Sequence, residues 1–164
     1  MTDYAKGLVK QYDKNGDMML QPEERKELRG RAAEAVARPN SKVAGVQLGI
    51  NVPYSFGDGT MSGDDILKNC VALGLSGVEL RTQPVEVFLG APKELVYTKN
   101  QPAAEAKTTA AAMQKWRAAA PLGRVADFRK QWETAGVLIE IVKVDGIFKM
   151  SDAELDYVFA LAKA

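Results

Sequence analysis

Hydrophobic and polar positions along the chain change rhythm near residue 40. Residues Met1 to about Val36 are polar and helix-forming around one break, Asp13 to Gln21, with Tyr4, Leu8 and Tyr12 at helical spacing before it. Ala37-Arg38-Pro39-Asn40-Ser41-Lys42 is a run of turn and breaker residues and reads as a linker. Beyond it, short apolar runs alternate with helix-length segments, the texture of parallel βα units. The first run, Val46 to Val52, places Val46, Leu48, Ile50 and Val52 on one face and Gln47, Gly49 and Asn51 on the other. Ser62-Gly63-Asp64-Asp65 opens a helix on which Ile66, Leu67, Cys70, Val71 and Leu73 recur at helical spacing, and Gly74 stops it. Gly77-Val78-Glu79-Leu80-Arg81 is a second strand, with Glu79 on the face opposite Val78 and Leu80.

Residues Ala103 to Ala120 and Val125 to Ala135 predict one helical layer broken by Pro121 and Gly123. Val137 to Val144 is the strongest β signal by its branched content, and at least one of its faces is expected to be buried. Ser151-Asp152-Ala153-Glu154 is a capping box, followed by Leu155, Val158, Phe159 and Ala162 as one apolar stripe. The expected class is α/β: a helix-loop-helix over 1–36, a linker over 37–42, and three βα units over 43–164.

Composition narrows the chemistry. Lys and Arg number 22 against 21 Asp and Glu, a net charge of +1 with no basic run, so neither nucleic acid nor an anionic membrane surface is an expected partner. No stretch approaches the roughly 18 apolar residues of a membrane span, and Met1 to Tyr12 lacks the order of a signal peptide, so the expectation is a soluble chain whose compartment stays open, cytoplasmic by default or exported. One cysteine, Cys70, and no histidine exclude an internal disulfide framework, a His-containing zinc site and a His-based triad. Cys70, on an apolar helix face, reads as a core residue, and Trp116, Phe128 and Trp132 read as packing.

Asp13-Lys14-Asn15-Gly16-Asp17-Met18-Met19-Leu20-Gln21-Pro22-Glu23-Glu24 has the spacing of a twelve-residue calcium loop and resembles the EF-hand family over about thirty residues. The spacing suits a hard cation that takes six to eight oxygens. Asp13, Asn15 and Asp17 would supply side-chain oxygens, Met19 its carbonyl, Gln21 a direct or water-mediated contact, and Glu24 both carboxylate oxygens to Ca²⁺. Met18 stands where the family uses glycine, at a cost of about 1 kcal/mol for a side chain at positive φ. The plainer alternative is a polar helix-turn-helix whose Asp and Asn serve only as caps.

Val46 to Phe56, then Ser62 to Leu73, then Gly77-Val78-Glu79-Leu80 resemble the opening of the sugar phosphate isomerase/epimerase family, whose xylose-isomerase-like domains are (β/α)₈ barrels. The resemblance runs from about Val43 to Ala164 and rests on Tyr54-Ser55-Phe56, on Met61 to Asp65 and on the Gly74 to Leu80 link. It implies a sugar or sugar phosphate as substrate and a catalytic divalent metal whose Glu, Asp, His and Glu ligands come from later strands, none of which can be placed in this chain. Three βα units fall short of the roughly 200 residues of a barrel, so this chain by itself is expected to be inactive. Tyr54, Phe56 and Glu79 would face substrate; the alternatives are ordinary packing for the two aromatics and a strand-to-strand hydrogen bond for Glu79. Catalytic residues remain unassigned. A three-stranded parallel sheet has open edges and an exposed polar face, so the chain is expected either to self-associate through those edges or to be marginally stable. The alternative function is a calcium-binding module on a non-catalytic α/β scaffold.

Overall fold

The computed structural model describes residues 9–26, 38–98 and 101–164. Tyr4, Leu8 and the helix expected over 27–36 lie outside the described residues. The chain divides into two compact units, Met1–Arg38 and Pro39–Ala164. In the first, residues 9–12 and 22–26 are helical and flank the loop, with Pro22 opening the second helical stretch, where its missing N–H has no partner to lose. Tyr12 and Glu24 are buried.

The second unit begins with a hairpin, β1 (Lys42–Val43) against β2 (Val46–Gln47), joined by Ala44 and Gly45, both at positive φ. Two successive left-handed residues match the twist of a two-residue hairpin. The run Val46 to Val52 is therefore not one strand. Its first half pairs back on Lys42–Val43, and only β3 (Ile50–Val52) joins the main sheet. That sheet has the order β3-β4-β5, all parallel, with β4 over Gly77–Arg81 and β5 over Leu138–Lys143.

Helix α1 (Gly63–Ala72) makes the β3-to-β4 crossover. Ser62 caps it by accepting from the Asp65 N–H, and Gly74, at φ 69°, ends it: the Leu75 N–H reaches Cys70 O at 2.9 Å and the Gly74 N–H reaches Val71 O at 3.0 Å. β4 runs directly into α2 (Thr82–Phe88), a helix with no counterpart in the periodicity. Then follow α3 (Lys93–Val96), α4 (Ala103–Ala118), α5 (Val125–Thr134), β5 and α6 (Asp152–Lys163), the last opened by the Ser151/Glu154 capping box.

One face of the sheet is covered. Val52, Val78 and Leu80 pack there with Ile66, Leu67 and Cys70 of α1, Val125, Phe128 and Trp132 of α5, and Tyr157, Val158 and Leu161 of α6. Phe128 stacks on Trp132 with ring centroids 5.6 Å apart and meets Phe88 edge-on at 5.1 Å. The apolar stripe of α6 is thus Tyr157, Val158 and Leu161, not the one expected through Phe159, which is 68% exposed.

β5 also departs from expectation. Opposite Val78 and Glu79 stand Ile139 and Ile141, so Glu140 is an extra residue, a β-bulge. The bulge rephases the strand: Ile139 and Val142 pack on the core, while Leu138 and Ile141 remain 48% and 56% exposed. No residue of β5 is fully buried.

Candidate functional site

Three places gather side chains capable of chemistry. In the first unit, the 13–24 segment is knitted by its own carboxylates. Asp13 accepts the N–H groups of Gly16 and Met18, each at 2.7 Å, through its two oxygens. Asn15 Oδ1 accepts the Asp17 N–H at 3.0 Å, and Asp17 accepts the Met19 N–H at 2.8 Å and the Gln21 side-chain amide at 2.7 Å. Glu24 closes the loop: its two oxygens accept the N–H groups of Lys14 and Gln21, each at 2.7 Å. Gly16 and Met18 both adopt the left-handed conformation, at φ 75° and 63°. A methionine in that region is uncommon and costs about 1 kcal/mol or more. Bonds from the Met19 N–H and from Gln21 hold the Asp17 carboxyl below its ordinary range. Among the described residues, no group of three or more His, Cys, Asp or Glu is already drawn together as a metal cluster. All six expected loop ligands fall in this one turn of chain; Met19 contributes backbone only, with its side chain 62% exposed.

In the second unit, Arg81 and Lys143 stand at the carboxyl ends of β4 and β5, the usual place for ligands in open α/β sheets, while Asn51 and Glu79 lie mid-strand. Asn51 donates to Glu79 on the sheet face opposite the buried Val78 and Leu80, and Lys143 Nζ stands 3.9 Å from the same carboxylate. Glu79 therefore has the strand-to-strand bond that the plainer alternative describes. Arg81, at the end of β4, pairs with Asp145 beyond β5, and its guanidinium lies 3.9 Å from the centroid of the Tyr54 ring. Tyr54 begins a 3₁₀ turn, Tyr54–Phe56, and lines a cleft of about 920 Å³ bounded by that turn, α3 and the start of α4. Phe56 turns away to pack on the core. Tyr54 and Glu79 thus belong to neighbouring but different surfaces, and Phe56 to neither.

A third cluster escaped the sequence reading. Glu86 of α2, 1% exposed, accepts from Arg117 Nε of α4 at 2.9 Å, and Arg117 Nη1 donates to Glu154 of α6 at 3.1 Å. Burial pushes the Glu86 carboxyl above its ordinary range despite the opposing Arg117 charge. For Glu154 burial acts the same way, but bonds from Ser151 and Arg117 prevail and hold its carboxyl below the ordinary range. The available signal was a charged residue inside the apolar run Pro84-Val85-Glu86-Val87-Phe88. Burial raises the Cys70 thiol to about 11, so it is a poor nucleophile at neutral pH.

Fold and sites together define an α/β protein with an open parallel sheet and a separate carboxylate-rich loop. Compared with protein-family models, curated proteins and solved structures, the chain matches none. No helix among the described residues is long and apolar enough to cross a membrane.

Proposed function

We propose that the 13–24 loop is a calcium-binding hand and that binding one Ca²⁺ is the working chemistry of this chain. The observation that carries the reading is Met18 at φ 63°: the backbone takes the sharp left-handed turn a calcium loop needs at its sixth position, although the residue there is not glycine. Glu24, closed over the loop by its bonds to Lys14 and Gln21, supports the same reading. Asp13, Asn15, Asp17, Gln21 and Glu24 would hold the ion with the Met19 carbonyl. These are hard oxygens, the donor class Ca²⁺ prefers. The ion would replace backbone N–H groups as the partner of several of those oxygens. A Ca²⁺ titration followed by backbone amide NMR tests this. The amides of Lys14, Gly16, Met18 and Gln21, which now donate to Asp13 and Glu24, should shift together and saturate; shifts scattered over the chain would refute it.

A second reading concerns the sheet, and one observation favours it. Three parallel strands present Asn51, Glu79, Arg81 and Lys143 on the face opposite the buried Val78 and Leu80, the face that becomes the interior when such units close into a barrel. On this reading the second unit is a sugar phosphate isomerase/epimerase-like segment whose Glu79 faces a sugar or sugar phosphate site, with Tyr54 on the neighbouring surface. Its catalytic divalent metal would be held by ligands that this chain does not supply. The chain alone should neither isomerise nor epimerise a sugar phosphate, and turnover by the purified chain would overturn that assignment of incompleteness.

A further inference from the structure

Helix α6 carries apolar side chains on two sides, and the core takes up one of them. Tyr157, Val158 and Leu161 are buried there. Leu155, Phe159 and Ala162 follow the spacing i, i+4, i+7, which draws a second line along the same helix. Leu155 is half-buried, Ala162 is exposed, and Phe159, 68% exposed, takes no part in the core. At its C-terminal end this line runs into an apolar groove of about 260 Å³, where Ala162 stands beside Leu161, Leu138 and Ile139. The charges of α6 are ordered along the same outward side. At 3.6 residues per turn, Asp152, Asp156 and Lys163 project within about 40° of one another, the two acids in the N-terminal half and the base at the C-terminal end. All three are exposed, and none forms an ion pair among the described residues.

An apolar line flanked by an acidic half and a basic end is complementary to itself turned end for end. A two-fold axis between two copies of α6 sets them antiparallel and brings the same patch of each against the other. With the axis passing between residues 160 and 161, the Phe159 ring of each copy lies over the partner's Ala162, whose small side chain leaves room for it. On the flank, Lys163 of each copy comes within side-chain reach of the partner's Asp156, and the helix dipoles oppose. A parallel pair would set acid against acid and base against base. A neutral partner would cover the apolar line and leave the ordered charges unanswered. We propose that α6 is a self-recognition surface, which pairs antiparallel with α6 of a second copy through Phe159 and Ala162 and through reciprocal Asp156–Lys163 contacts. This surface lies on the helical layer and is separate from the sheet edges and from the 13–24 loop.

Sedimentation equilibrium of the whole chain at low ionic strength tests this, in an Ile141→Lys background so that the sheet edges contribute nothing. One helix pair is a small interface, so the expected species is a dimer that dissociates near about 0.1 mM, with nothing larger. Phe159→Glu, at an exposed position that leaves the core alone, should weaken association about tenfold or more without moving the thermal midpoint of the monomer. Asp156→Lys and Lys163→Glu each set like charges together and should each weaken self-association about threefold. An equimolar mixture of those two variants should dimerise as tightly as the parent, because the mixed pair restores both contacts. A monomer at about 1 mM, association unchanged in Phe159→Glu, or a mixture no tighter than either charge variant alone overturns the proposal.

Discussion

Met18 is the residue on which the calcium reading turns. Its side chain is 77% exposed and makes no packing contribution that would explain a left-handed backbone, so the loop's own hydrogen bonds hold it there. Met18→Gly removes a strain of about 1 kcal/mol that the ion-free loop already bears, so it should stabilise the first unit and change Ca²⁺ affinity by no more than about twofold, measured by titration against a fluorescent chelator. Met18→Val, branched at Cβ, resists the left-handed turn and should weaken binding; an affinity equal to the parent's would mean that the turn is irrelevant to binding. Arg117 is the matching residue in the second unit. It is the charge that makes a buried Glu86 tolerable, and Arg117→Met should cost about 3 kcal/mol at pH 7 in urea unfolding. The sign with pH follows from Glu86, whose carboxyl is raised by burial. Between its ordinary and its raised value the folded state holds a proton that the unfolded chain has released, so stability falls as pH rises through that window. Without Arg117 the window widens, and the loss should be smaller at pH 5 than at pH 7; a loss independent of pH would deny the pairing its role.

At the scale of elements, what was legible was short-range grammar. The Ser62 cap and the Gly74 stop of α1, and the Ser151/Glu154 box of α6, involve partners three to five residues apart, so the residue types alone specify them. The second strand, Gly77–Arg81, was legible for the same reason. The division of Val46–Val52 was not, because it depends on Ala44 taking a left-handed turn that alanine does not advertise. Nor was the β5 bulge, which is set by registration against Val78 and Glu79 some sixty residues earlier. Helix packing of α1 on α5 provides a further check. A Cβ built on Gly63 would lie 2.6 Å from the Phe128 ring, which is itself held between Phe88 and Trp132. Gly63→Ala should therefore destabilise the second unit by about 1–3 kcal/mol by overpacking. Thermal unfolding reads this directly, and an unchanged midpoint would show that the ring moves freely.

For the molecule as a whole, the 13–24 turn was legible because the carboxylates and amides that knit it lie within twelve residues. The Glu86–Arg117–Glu154 cluster and the Tyr54–Arg81–Asp145 rim were not, since their members come from three separate elements each. The sheet carries a further consequence. Among the described residues, β3 and β5 each have one unpaired edge, and Leu138 and Ile141 are exposed on β5, which predicts self-association in solution. Light scattering should give a mass above 17.8 kDa that Ile141→Lys lowers towards the monomer; a monomer at all concentrations would mean that the edges are protected. The central claim is that one Ca²⁺ binds in the 13–24 loop. Calorimetric titration of Ca²⁺ into the whole chain and into its Glu24→Gln variant tests it most directly. The account predicts one saturable site per chain, weakened roughly tenfold or more in the variant. No binding to the parent chain, or equal binding to both, would contradict it.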